Sequence, residues 1–301
     1  METSGSSLDI VLSSGAKEAV ILVHGLTGAP DEMRFLAKKL GDRGYDVYVP
    51  LLKGHGSSYA AVMATGWRDW LSTLISCHDR IAKDYDRIHV AGICVGGMLG
   101  LLLAEIRPIA SCTVYSPLFA FNGWAMPRFY ALLKTLWPLI YIVPFAGRIV
   151  VPETYPFGLK DERLRNLAAT SQDSLIKGAL DGMPLKSIAD MYQLGQEVLK
   201  SASRIKVPVL IIHAQEDEIG DLDNAYRLHA ALGPTSRLEI LDNSYHMIHV
   251  DQERSKVVAL TLEAIGYPVK CRGDIPVQPE KPLASESVTS GSQVAGSKAY
   301  A

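Results

Sequence analysis

The chain has 301 residues, of which 48% are hydrophobic and 21% are charged, and its formal net charge is −2. This composition is typical of a globular protein with a large core, and the length alone does not separate one domain from two. Lys and Arg form no basic stripe, so the sequence argues against a nucleic acid partner.

The cysteines and the N-terminal segment both indicate in which cellular compartment the protein is located. Cys77, Cys94, Cys112 and Cys271 are too widely spaced for a CxxC motif or a zinc knuckle, so we expect no metal site. So few cysteines in a long chain indicate a reducing compartment. The first residues are polar and lack the charged and apolar regions of a signal peptide. We therefore expect a cytoplasmic protein.

Apolar, β-branched runs alternate with amphipathic segments through the first 115 residues. Strands are predicted at 8–12, 19–24, 45–50, 87–92 and 111–115, and helices at 31–40, 67–82 and 97–105. A nearly all-apolar run such as 19–24 is typical of a strand buried on both faces of a parallel sheet. The alternation predicts an α/β fold, with a mostly parallel sheet, right-handed crossovers and flanking helices.

The alternation stops after residue 116 and resumes near residue 204. Residues 117–203 contain aromatics, prolines and then helical periodicity, which predicts a mainly helical cap inserted into the fold. Strands at 207–213 and 237–241 and helices at 222–232 and 253–265 follow. We therefore expect a core of 1–116 and 204–268, a cap of 117–203, and a tail of 269–301 whose Pro, Ser and Gly content predicts disorder.

The segment 129–151 is strongly apolar but is not a good transmembrane helix. It contains two prolines, and Lys134, Gly147 and Arg148 interrupt the apolar run, whereas a membrane span needs about 20 apolar residues. A buried cap segment is the simpler interpretation. The alternative is a peripheral contact with a membrane or an acyl carrier through the apolar cap.

The residues 91–97, AGICVGG, lie between a predicted buried strand and a helix of small residues. This is the context of a nucleophile elbow, in which a G-x-S-x-G turn places the nucleophile at the start of a helix. A helix N-terminus stabilises a thiolate, so Cys94 is a candidate nucleophile. Alone, the pattern is more typical of a buried free cysteine in a packing turn.

Two further features favour catalysis. Residues 24–28, HGLTG, follow the first buried strand. In proteins with a nucleophile elbow, the negatively charged oxygen that forms during acyl transfer is bound by two backbone N–H groups. One belongs to this loop and the other to the residue after the nucleophile. Those residues are Leu26 and Val95. Asp217 and His246 each follow a later strand, in the chain order nucleophile, acid, base. The sequence therefore predicts a Cys94, His246, Asp217 triad.

Other residues compete for these roles. Glu216, Glu218 and Asp221 are alternatives to Asp217, and His249 lies three residues from His246. Asp217 could instead cap a helix, and His246 could lie on a surface loop. His24 and His55 fall in loops that face the predicted site, and we interpret them as polar groups that shape those loops rather than as bases.

These motifs resemble the carboxylesterase and monoacylglycerol lipase branch of the α/β-hydrolases. The resemblance covers 19–115 and 204–265 and rests on HGLTG at 24–28, KGHGSS at 53–58, GICVGG at 92–97, HAQED at 213–217 and SYHMIHVD at 244–251. It implies ester or monoglyceride hydrolysis without a cofactor, with the triad and oxyanion donors at the positions given above. The chain departs from the family in its cysteine nucleophile and in its long apolar cap.

A cysteine in this position changes the expected chemistry. Thiolate is the better nucleophile near neutral pH, and its acyl-enzyme is a thioester. We therefore expect an acyl hydrolase acting on a lipophilic ester or thioester. An acyltransferase to an amine or alcohol, and a non-catalytic binding protein, remain alternatives. A cysteine put in place of a natural serine would leave the same motif. Candidate substrate-binding residues are His24, Trp124, Phe129 and Trp137.

Overall fold

The structure is a computed structural model that describes residues 8–127, 130–143, 145–170 and 176–266. The strands are β1 (Ile10–Leu12), β2 (Glu18–Val23), β3 (Asp46–Val49), β4 (Arg87–Ile93), β5 (Ser111–Tyr115), β6 (Val150–Pro152), β7 (Gly182–Pro184), β8 (Val209–Ala214) and β9 (Ser236–Leu241). Seven of them form one sheet in the order β1-β3-β2-β4-β5-β8-β9. Only β1 is antiparallel to its neighbour, so the described sheet is mostly parallel.

Helices flank this sheet and also occur in the inserted region. They are α1 (Arg34–Gly41), α2 (Tyr59–Met63), α3 (Trp67–Ile81), α4 (Val95–Ile106), α5 (Tyr130–Leu136), α6 (Glu162–Thr170), α7 (Leu185–Ser201), α8 (Leu222–Leu232) and α9 (Arg254–Gly266). Helix α1 packs against α9, and α4 packs against both α3 and α7. The central strands β4, β5 and β8 are buried along almost their whole length, as expected for strands covered on both faces.

The predicted fold class is confirmed, and the differences are local. Most element ends shift by one or two residues. Helix α4 begins at Val95 rather than at residue 97, because the turn at Cys94 leads from β4 into the helix without an intervening loop. The described residues belong to one compact unit.

The inserted region contains more than helices. The strands β6 and β7 pair antiparallel, with Pro152 opposite Gly182, and the sequence did not indicate them. Helix α7 falls in the segment predicted as cap, yet it packs against α3 and α4 of the core. The expected domain boundaries remain a prediction. The tail at 269–301 lies outside the described residues.

No helix within the described ranges is long and apolar enough to cross a bilayer.

Candidate active site

Cys94 lies in a strained turn between β4 and α4. Its φ and ψ are 52° and −115°, a backbone conformation that L-residues rarely adopt. A Cβ atom on Gly96 would lie 2.5 Å from the carbonyl oxygen of His24, and one on Gly92 would lie 2.5 Å from the carbonyl carbon of Gly96. The two glycines therefore let the chain pass close to its own backbone, and the structure has the elbow that the motif predicted.

His246 and Asp217 meet at the carboxyl edge of the sheet. The Nδ1 atom of His246 lies 2.8 Å from Oδ2 of Asp217, and the ring also interacts electrostatically with Cys94, which lines the same cavity. The other oxygen of Asp217 accepts the backbone N–H groups of Ile219 and Gly220, each at 2.9 Å. Since the Asp217 carboxylate is fixed by these two bonds, it holds the imidazole ring with Nδ1–H toward the acid and Nε2 free for Cys94.

The buried charges stabilise one another. Burial alone would lower the pKa of His246, but the charge and hydrogen bond of Asp217, together with Cys94, hold it well above its usual value. Burial would likewise raise the pKa of Asp217, yet His246 keeps it below the usual range. Burial raises the pKa of Cys77 to about 11 and that of Cys112 to about 12, so these two thiols stay protonated at neutral pH.

The two expected oxyanion donors flank Cys94. Val95 is the first residue of α4, so its N–H group has no partner one turn earlier in the helix. Leu26 lies in the loop after β2, where Thr27 has a φ of 57°. No hydrogen bond donated by the N–H of Leu26 or Val95 is present among the described residues. Glu32 fixes the start of the loop, because its Oε1 accepts the N–H of Gly25 at 2.6 Å.

The competing acids have other partners. Asp221 caps α8 by accepting the N–H of Asp223, and Glu216 forms an ion pair with Lys160 at 2.6 Å. Glu218 accepts the backbone N–H of His246 at 3.0 Å, so it supports the loop that carries the base. Asp217 is therefore the acid whose carboxylate contacts the His246 ring.

A cavity of about 600 Å³ opens onto Cys94 and His246. This volume is within the usual range for small-molecule sites. Apolar side chains that contribute to its wall include Leu118, Phe121, Met126, Tyr130 and Ile219.

Three of the expected substrate-binding side chains lie outside this wall, and their role in substrate binding stays a prediction. The His24 ring is wholly buried and joins two loops, with Nδ1 bonded to the oxygen of Gly25 and Nε2 accepting the N–H of Leu52. Trp124 is 62% exposed, and its indole N–H donates to the oxygen of Glu216. Trp137 is buried within the cap. Phe129 lies outside the described residues.

Further polar residues line the cavity, including Glu32, Glu153, Asp181, Glu218 and His249. Glu218 and His249 are the residues that the sequence offered as alternatives to Asp217 and His246. No motif indicated Glu32, Glu153 or Asp181. His55, by contrast, packs edge-on against Trp70 with ring centroids 5.4 Å apart and shapes its loop.

Comparison with known proteins identifies the family. Residues 14–253 match the sequence profile of the Hydrolase_4 family, described as serine aminopeptidase, S33. The chain belongs to this family. It is an α/β-hydrolase in which Cys94 stands at the elbow position. No group of His, Cys, Asp and Glu in the described part of this hydrolase is arranged to hold a metal ion.

Relatives and solved structures agree with this assignment. A thermostable monoacylglycerol lipase from Bacillus sp. (strain H-257) is 26% identical over 81% of the chain and 88% of the relative. A carboxylesterase from Bacillus subtilis (strain 168) is 22% identical over 81% and 90%. A structure from work on the metagenome-derived lipolytic enzymes LipS and LipT has a TM-score of 0.71 at 23% identity, covering 86% of this hydrolase and 96% of that chain.

Proposed function

We propose that this protein hydrolyses a lipophilic ester or thioester through a Cys94, His246, Asp217 triad. The observation that carries the proposal is the buried hydrogen bond between Asp217 and His246, with His246 and Cys94 both in the wall of a largely apolar cavity. The names of the relatives, monoacylglycerol lipase and carboxylesterase, support ester hydrolysis.

Each group has a defined part in the reaction. His246 takes the thiol proton, and the Cys94 sulfur attacks the acyl carbon. The N–H groups of Leu26 and Val95 bind the oxyanion that forms. His246 then protonates the leaving group as the tetrahedral intermediate collapses to a thioester. A water molecule that loses its proton to His246 attacks this thioester, and the acid and free Cys94 are released.

A second candidate function is acyl transfer to an amine or an alcohol. The feature that favours it is the cysteine itself, because a thioester acyl-enzyme reacts more readily with amines than an ester does. An acyl-enzyme that persists in water and discharges onto an added acceptor would support transfer. Rapid discharge to water without an acceptor would support hydrolysis.

Intact-protein mass spectrometry tests both functions. We expect incubation with a panel of acyl esters and thioesters to add one acyl mass to the protein and none to a Cys94→Ala variant. A Cys77→Ala variant is the matched control and should acylate normally, because the Cys77 thiol is buried and protonated. Acylation that persists in Cys94→Ala would contradict the proposed nucleophile.

A non-catalytic binding protein on the same fold makes the opposite prediction. Cys94 should then react with iodoacetamide no faster than Cys77 and Cys112. If catalysis is right, Cys94 should react much faster and Cys94→Ala should lose turnover.

We also propose that the cap contacts an anionic lipid surface. Eight large apolar side chains in this region are exposed, forming the cap surface: Leu132, Leu136, Leu139, Tyr141, Ile142, Val143, Phe145 and Ile149. A group of exposed apolar side chains within one segment favours an interaction site. The sequence from 124 to 152 contains three basic residues and no acidic residue, although the whole chain is slightly acidic. This charge difference favours anionic lipid as the occupant.

Vesicle sedimentation tests the lipid contact. We expect binding to phosphatidylglycerol vesicles, little binding to phosphatidylcholine vesicles, and weaker binding by an Ile142→Ser, Phe145→Ser double variant. Ile106→Ser is the control, since Ile106 is exposed on α4 outside the cap surface. Equal binding by all three proteins would contradict the assignment of this surface.

A further inference from the structure

One buried carboxylate joins the loop that carries His246 to a segment of the inserted region. The Oδ2 atom of Asp251 accepts the backbone N–H of Tyr245 at 2.7 Å and that of Lys160 at 2.8 Å. Its Oδ1 atom accepts the N–H of Asp161 at 2.8 Å, and the residue is 1% exposed. Hydrogen bonds to a buried, charged acceptor are stronger than those between neutral groups. The three bonds therefore fix two parts of the chain that are distant in the sequence.

The Oδ2 atom of Asp251 is shared between these two parts. Because it accepts from both Lys160 and Tyr245, a displacement that lengthens one bond also moves the acceptor of the other. Tyr245 directly precedes His246, whose ring contacts Asp217. A movement of the segment around Lys160 would therefore be transmitted to the predicted base through a single atom.

Two further contacts dock the segment 158–161 near the triad. The N–H of Met247 donates to the oxygen of Gly158 at 2.8 Å. The backbone of the segment comes close to the loop there, because a Cβ on Gly158 would lie 2.6 Å from Cγ of Met247. The Nζ atom of Lys160 forms an ion pair at 2.6 Å with Glu216, the residue before the acid of the triad. The segment therefore contacts the loops of both the acid and the base.

The segment and the loop also form parts of one cavity wall. Gly158 and Leu159 line the cavity, and so do His246 and Met247. Leu159 is 2% exposed, so its side chain is packed within the structure. Asp251 therefore holds together two pieces of the wall, one of which carries the predicted base.

The peptide groups of His246 itself have other partners. Its N–H donates to Oε2 of Glu218 at 3.0 Å, and its carbonyl oxygen accepts the hydroxyl of Ser116 at 2.7 Å. Both partners follow strands of the main sheet, β8 and β5. Removal of the Asp251 carboxylate would leave these two bonds in place. We therefore expect it to let the loop shift rather than to unfold it.

We propose that Asp251 is a positioning residue, which holds the loop of His246 against the segment 158–161 and thereby sets the place of the imidazole ring relative to Cys94. The inference rests on the proposed function, because it takes His246 as the base. Misplacement of a catalytic group by about 1 Å can lower a rate by about 10²-fold. Asp251 acts through His246 and has no part in the chemical steps.

Two substitutions of Asp251 test the positioning in an ester hydrolysis assay. Asp251→Ala removes all three acceptor bonds, and we expect it to lower kcat at least about tenfold. Asp251→Asn keeps one oxygen, which can still accept the N–H groups of Lys160 and Tyr245. This variant should therefore recover kcat to within about threefold of the parent protein. A folded Asp251→Ala variant with the kcat of the parent would overturn the proposal.

Asp46→Ala is the matched control for the loss of a buried carboxylate. Asp46 is also 1% exposed and also accepts three backbone N–H groups, those of Ser14, Gly15 and Ala16. It is the first residue of β3, so it lies at the amino edge of the sheet, opposite the triad. We expect Asp46→Ala to unfold more easily but to keep kcat within about twofold at a temperature where circular dichroism shows it folded. An equal loss of kcat in both alanine variants would contradict positioning.

Amide hydrogen exchange in the unmodified protein tests the joint without any substitution, and it decides the matter if Asp251→Ala does not fold. The amides of Lys160, Asp161 and Tyr245 share one acceptor group, so a single opening should release all three. We expect their protection factors to agree within about tenfold. Strong protection of Tyr245 with fast exchange at Lys160 and Asp161 would overturn the proposal.

The ring proton of His246 gives a readout that needs no turnover. The Nδ1 proton in the hydrogen bond to Asp217 should give a far-downfield NMR signal, which Asp217→Asn identifies by its loss. We expect this signal to persist in Asp46→Ala and to broaden or disappear in Asp251→Ala. An unchanged signal in Asp251→Ala would contradict positioning. Failure of the proposed function is a separate result, in which the unmodified protein turns over no ester while both NMR measurements still report on Asp251.

Discussion

A Glu32→Gln variant tests the energetic effect of a buried carboxyl group that supports the loop after β2. Glu32 is 5% exposed, and burial raises its pKa from 4.5 to about 8. The folded protein therefore holds this proton up to about pH 8, whereas the unfolded chain loses it above about pH 4.5. In that window the unfolded state binds fewer protons, so this group lowers the free energy of unfolding by about 1.4 kcal/mol for each unit that pH rises.

Glutamine keeps an acceptor oxygen for the N–H of Gly25 but has no proton to lose. We therefore expect the free energy of unfolding of Glu32→Gln, relative to the parent protein, to rise by about 2–3 kcal/mol from pH 5 to pH 7. Glu153 and Glu218 also have raised pKa values, but both groups are present in the two proteins, so their contributions to the free energy of unfolding cancel in the difference.

Urea unfolding followed by tryptophan fluorescence at several pH values between 5 and 8 measures this difference. The slope of free energy against urea concentration must match between the two proteins for the comparison to hold. A Glu263→Gln control should differ from the parent by the same amount at every pH, because Glu263 is exposed. Parallel pH profiles for Glu32→Gln and the parent would refute the buried, protonated state of Glu32.

Two further predictions concern the triad and the elbow. Asp217→Asn should lower kcat by about 10²–10⁴-fold in an ester hydrolysis assay. The variant should stay folded, because Oδ1 can still accept the N–H groups of Ile219 and Gly220. An unchanged kcat would remove Asp217 from the triad. Gly96→Ala should lower the free energy of unfolding by at least about 1–3 kcal/mol, since its Cβ would meet backbone atoms. The control Gly41→Ala meets only Leu12 at 3.5 Å and should be close to neutral in the same denaturation assay.

The sheet and the positions of the candidate triad could be predicted because they follow from repeated, local patterns. Cys94, Asp217 and His246 each come after a strand, and the carboxyl ends of parallel strands meet at one edge of a sheet. Chain order and strand order were therefore enough to expect them close together. The structure adds the 2.8 Å contact and the two backbone bonds that fix the acid.

The cavity wall could not be predicted in the same way. An aromatic residue in an irregular cap segment has no period that tells which side it faces, so Trp124 was expected in the wall and lies mostly exposed. Glu153 and Asp181 are 28 residues apart in the sequence. They meet only through the short β6–β7 pairing, whose strands of three residues carry no usable alternation.

The backbone of the elbow has a consequence for how this chemistry can change. The positive φ of Cys94 and the close approaches at Gly92 and Gly96 involve main-chain atoms, and none of them depends on the sulfur. A hydroxyl side chain could occupy the same backbone position with the same neighbours. Exchange between thiol and hydroxyl nucleophiles at this site therefore requires a single substitution, so descendants of one ancestral scaffold can diverge in reaction type while their folds stay alike.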